Sequence, residues 1–79
     1  MNIEVVGKNI DRFRRNKGMS VRKLAKAIDI SDTTVQYWIK GKGLPGGYAL
    51  YRLSRFLGVP MEKIMEGIED DEEQKHSNA

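Results

Sequence analysis

Between Ser20 and Lys40 two apolar stripes at helical spacing stand almost end to end, each headed by a serine. Val21, Leu24, Ala25 and Ile28 follow Ser20, and Val35, Trp38 and Ile39 share one side of the run after Ser31. Serine is a strong N-cap, because its hydroxyl accepts a hydrogen bond from a free backbone N–H of the first helical turn. The pattern predicts two short helices, the first ending near Asp29 and the second starting almost at once.

The flanking sequence extends the same period. Val6, Ile10 and Phe13 stand at i, i+4 and i+7, with Lys8, Asn9, Arg12, Arg14 and Arg15 between them, which predicts a helix over residues 5–17. Gly18 is placed to stop it in the left-handed conformation, and Arg14, Arg15 and Lys17 suit the negative end of its dipole. Residues 41–47, GKGLPGG, read as a loop. Leu50, Leu53, Phe56 and Leu57 outline a fourth helix closed by Gly58; Pro60 then opens a fifth, with the stripe Met61, Ile64, Met65 and Ile68. Nothing reads as a strand. The expected architecture is all-α, a five-helix bundle over residues 1–68, and residues 69–79 form an acidic extension whose composition predicts disorder.

The chain has 79 residues, about one small domain. Its formal charge of +3 conceals a division. Residues 1–65 carry 13 basic and 5 acidic side chains, a formal +8, and residues 66–79 carry 1 basic and 6 acidic, a formal −5. This is a basic body with an acidic end, the balance expected of a polyanion binder. Cysteine is absent, which excludes disulfides, thiolate metal sites and thiol nucleophiles. No apolar run approaches a membrane span and the first residues lack a signal-peptide pattern, so no membrane association and a cytoplasmic location are expected.

Two capped helices joined by a tight turn make a helix-turn-helix pattern. At about 100° per residue, Trp38 and Ile39 lie within about 60° of Val35, whereas Thr33, Tyr37 and Lys40 lie about 140–200° away and Gln36 near the boundary. One face anchors and the other displays. Gln pairs with adenine in bidentate fashion, Thr or Tyr touches a thymine methyl, and Asp32 can accept from cytosine; Asp32 equally suits the dipole of the first helical turn with no DNA present. Arg22 and Lys23 occupy the first turn of the preceding helix, where the dipole disfavours cations, as expected of a phosphate-facing surface or of a solvated charged face.

The stretch from Gly7 to Met65 resembles the Xre-type family, which includes the lambdoid phage repressor and Cro proteins. The resemblance rests on RxxKGMS, LAKAIDIS, the W-x-x-G-K ending of the third helix, and FLGVPMEKI. It implies a lambda-repressor-like bundle whose third helix enters the major groove, usually as a dimer on a two-fold operator. Carried over by position, it places base readers at Asp32, Thr33, Gln36 and Tyr37 and backbone contacts at Ser31, Thr34, Lys40 and Lys42. Two positions depart from the family pattern. Val21 stands where a phosphate-binding Gln is usual, and Ile39 where many members have a Glu paired with the Arg equivalent to Arg14. Arg14 is therefore expected to be free to face DNA.

Enzyme chemistry is not expected, since the single histidine, His76, lies in the acidic extension and no nucleophile, base and orienter can be assembled. No cofactor or metal is called for. GKGLPGG follows a helix and lacks the order of a Walker loop. Trp38 reads as core and Tyr37 as display, while Tyr48 and Tyr51 suit the core, an interface or a phosphate. Met61, Ile64, Met65 and Ile68 read as a dimer seam, or Ile64 alone plugs the bundle. The acidic end either solvates the chain or competes with DNA for its basic face. The expected function is a double-stranded DNA-binding transcriptional repressor of phage or plasmid type, acting as a homodimer. A regulatory protein is a further candidate partner, and the alternative function is an antitoxin or other protein-interaction module of the same fold that binds a partner protein.

Overall fold

A computed structural model of the chain describes residues 1–69. They form five helices, α1 (Ile3–Asn16), α2 (Val21–Ala27), α3 (Asp32–Ile39), α4 (Gly47–Leu57) and α5 (Met61–Ile64), with no strand among the described residues. The acidic extension from residue 70 onward, His76 included, lies outside the described residues. No described helix is long and apolar enough to cross a membrane.

The N-caps form as the serines predict. Ser20 Oγ accepts from the Lys23 N–H at 3.0 Å and Ser31 Oγ from the Thr34 N–H at 3.1 Å. Gly18 and Gly58 take the left-handed conformation after α1 and α4. The end of α2 is less orthodox, since Asp29 itself adopts φ 61°. Its N–H and that of Ile30 donate back to Lys26 and Ala25, reversing the chain in three residues.

A single core joins all five helices: Val6 and Ile10 of α1, Leu24 and Ala25 of α2 with Ile28 just beyond it, Val35 and Trp38 of α3, Ala49, Leu53 and Leu57 of α4, and Ile64 of α5. The helix α3 packs on both α1 and α2, and α5 closes the far end against α1 and α4. Close approach of α1 to the end of α3 depends on Gly7, where a Cβ would collide with the Trp38 carbonyl and lie 2.8 Å from that of Ile39.

Two apolar expectations are corrected. Phe56, assigned to the core side of α4, is 38% exposed, and Ala49 takes the buried place on that helix. The fifth helix is one turn long, because Met65 ends it and the chain bends at Gly67, with φ 94°. The bend turns Met65 and Ile68 back onto the bundle, where both pack against the core, and the Ile68 carbonyl accepts from the Asn2 N–H at 2.6 Å. Asn9, the one buried polar side chain among the described residues, secures this return. Its Nδ2 donates to the carbonyls of Ile64 and Glu66, both at 2.9 Å.

Candidate nucleic-acid interface

The two faces of α3 are separated by burial. Val35 and Trp38 are buried, whereas Thr33, Gln36 and Tyr37 are exposed, Tyr37 at 52%. Asp32, at the start of the helix, is partly exposed. The displayed face is held firmly from behind, because the anchors of α3 sit in a core shared with α1 and α2.

Tyr37 is also positioned from the side. Its ring lies against the backbone of Gly43, where a Cβ would stand 2.6 Å from Cε2, and its carbonyl accepts from the Lys42 N–H at 3.1 Å. The loop after α3 therefore folds over the aromatic ring while presenting Lys42. Gly41 permits this loop by adopting φ 76° beside Glu4. Lys40 and Lys42 are exposed at the same end.

At the other end of α3, Ser31 and Thr34 are tied together. Their hydroxyl oxygens stand 2.8 Å apart, in addition to the N-cap bond. Arg22 approaches Asp32 across the turn, Nε to Oδ2 at 4.0 Å, with Arg22 largely and Asp32 about half in solvent. Exposed pairs of this kind contribute little, so Arg22 remains available to an anion and Asp32 to a donor. Lys23 is exposed beside them.

Arg14 is not where the sequence reading placed it. Its Nε and Nη2 donate to Asp11 Oδ1 at 3.0 and 2.6 Å, and its Nη1 to the Met19 carbonyl at 2.8 Å. The same carboxylate takes Arg15 on its other oxygen at 2.9 Å. The ion pair expected to be missing is made one turn back on α1, and only 16% of the Arg14 side chain is exposed. Arg14 is therefore not free as expected: it joins α1 to the chain entering α2.

The proposed dimer seam is likewise reduced. Ile64 is fully buried in the core, so it offers no surface to a second copy; Met65 and Ile68 are half-buried against the bundle, and Met61 is exposed at 40%. Sequence reasoning also left Tyr48 and Tyr51 undecided, and both are exposed on α4. Their rings lie 6.5 Å apart, with Arg52 over Tyr48 and Arg55 over Tyr51. Arg52 further donates to the Tyr48 hydroxyl at 2.9 Å and to the Ala27 carbonyl at 3.2 Å, fastening α4 to the end of α2. Among the described residues no cluster of His, Cys, Asp or Glu is arranged to hold a metal ion.

The chain is similar to known proteins in sequence and in fold. The chain is 37% identical over 65 residues to the HTH-type transcriptional regulator DicA of Escherichia coli (strain K12), covering 82% of this chain and 48% of that protein. It is 28% identical over 60 residues to the HTH-type transcriptional activator BcrR of Enterococcus faecalis, covering 76% of this chain and 29% of BcrR. The chain thus spans about half the length of the first relative and less of the second. In fold it is similar to the clp gene regulator ClgR from Corynebacterium glutamicum, with a TM-score of 0.76 at 23% identity, covering 82% of this chain and 69% of that one. A family model described as helix-turn-helix matches residues 10–64, which takes in α2 to α5 and the second half of α1. The chain belongs to the helix-turn-helix family.

Proposed function

We propose that the chain is a sequence-specific double-stranded DNA-binding transcription regulator of the small repressor type, with α3 inserted in the major groove. The observation that carries this reading is the side of α3 turned away from the core. It presents Thr33, Gln36 and Tyr37 together, with Asp32 at its leading end. Such a row matches base edges at the floor of a major groove, where Gln recognises adenine and the methyl or ring groups meet thymine.

Phosphate contacts position the protein while base contacts specify the sequence. Lys40 and Lys42 at one end of α3, and Arg22, Lys23 and the Ser31–Thr34 hydroxyl pair at the other, are assigned to the two flanking backbones. Arg14 has no part in this set. Two copies are proposed to occupy a two-fold site, through a surface that includes Met61 and excludes Ile64. Both curated relatives are named as transcriptional regulators, which supports the reading.

The test is binding of the full chain to labelled duplex and to the corresponding single strand across a salt series. The reading requires preference for duplex and a linear fall of log affinity with log salt, with a slope of about −0.9 per phosphate contact. No duplex binding at low salt, or an affinity indifferent to salt, contradicts it.

A further inference from the structure

We infer that the solvent face of α4 is a docking surface for an acidic, partly apolar segment of another protein. The inference goes beyond DNA binding and concerns a different helix from the one proposed to enter the groove.

At about 100° per residue, Tyr48, Tyr51, Arg52 and Arg55 fall within an arc of about 100° on α4, centred about 150° from the buried Ala49, Leu53 and Leu57. Tyr48 is 67% exposed and Tyr51 44%, and Phe56, at the edge of the arc beside Arg52, is 38% exposed. Exposed large apolar side chains are few among the described residues, and three of them stand together here. Grouped in this way they mark an interaction surface, as scattered single ones do not.

The side chains are already set. The two rings stack at 6.5 Å, with the Arg52 guanidinium 5.7 Å from the centre of Tyr48 and that of Arg55 5.8 Å from the centre of Tyr51. Arg52 is held further by its bonds to the Tyr48 hydroxyl and the Ala27 carbonyl. Little rotamer freedom is left to lose on binding, and tyrosine and arginine are among the side chains that most often carry the energy of protein interfaces.

Charge and shape choose the occupant. The sequence of α4 contains no carboxylate, and neither Arg52 nor Arg55 is ion-paired with a described one. A second copy of the chain fits poorly, because two such faces oppose arginine to arginine with no acid between them. Duplex DNA offers phosphate but nothing apolar, so its backbone leaves both rings in water. Through Arg52 the face is also fastened to the C-terminal end of α2, whereas the phosphate contacts proposed for α2 lie in its first turn. A protein segment with carboxylates set among aliphatic or aromatic residues satisfies both halves. Its acids take the Arg55 guanidinium, which has no described hydrogen-bond partner, and its apolar groups cover the tyrosine rings.

The test is selection on the full-length chain from a displayed library of random short peptides. The enriched peptides are then synthesised and measured against the wild type, Tyr51→Ala and Arg55→Ala. They should carry an excess of Asp and Glu beside Leu, Phe or Trp, and bind each variant about tenfold more weakly. On the wild type, the amide resonances they shift should cluster at residues 48–56, which decides the site even where a variant unfolds. No enrichment overturns the inference, as do peptides without an acidic excess, shifts away from α4, or binding that survives both substitutions. Loss of duplex affinity in the same two variants overturns it in favour of DNA phosphate, and a fall in their sedimentation coefficient in favour of a second copy.

Discussion

The Tyr37 ring is braced by Gly43, so closely that a methyl group on Gly43 would stand 2.6 Å from Tyr37 Cε2. The atom in the way is the far edge of an exposed ring, which can swing aside at little cost to the fold. Gly43→Ala should therefore leave the melting temperature within a few degrees of the wild type and redirect Tyr37. The expected signature is altered discrimination at the base pair Tyr37 touches, about 1 kcal/mol, with unchanged far-UV circular dichroism. Competition binding against duplexes mutated at single positions measures it.

Gly7 faces backbone instead. Since carbonyls cannot swing away, Gly7→Ala must push α1 from the end of α3, at an expected cost of about 1–3 kcal/mol. Denaturant titration reads this directly, and an unchanged midpoint would show that the two helices are less tightly apposed than described.

Asn9→Ala removes the donor shared by the Ile64 and Glu66 carbonyls. Loss of stability by about 1–3 kcal/mol is expected, with hydrogen exchange accelerating first at residues 64–69. Because α3 is anchored elsewhere in the core, the folded fraction of this variant should bind duplex with wild-type salt dependence.

Arg14→Ala and Lys40→Ala separate structure from recognition. The first unties α1 from Met19 and should lower stability by about 1–3 kcal/mol while keeping the salt slope. The second should leave stability nearly unchanged and reduce the slope by about 1. Reversal of the two outcomes would return Arg14 to the DNA-facing set.

The helix pair and its caps were legible in the sequence because they are local: Ser20 and Ser31 act within one turn, and Val35 and Trp38 define their face by spacing alone. What escaped was decided by distant chain. Asn9 is buried because residues 64–66 return to it, and no pattern around Asn9 announces that. The stripe Met61, Ile64, Met65 and Ile68 continues at helical spacing, yet the left-handed bend at Gly67 and the contact with Val5 end the helix early. Arg14 is a different case. Its partner Asp11 stands three residues before it on the same helix, whereas the family pattern places the partner across helices at the position of Ile39.

Base reading by α3 is tested most directly by selecting binding sites from a random duplex pool with the wild type and with Gln36→Ala in parallel. The wild type should enrich a defined motif with two-fold symmetry. The variant should enrich the same motif with preference relaxed at one base pair per half-site, by about 1–3 kcal/mol if the contact is bidentate. Identical motifs from both proteins, or no motif from either, would contradict the account.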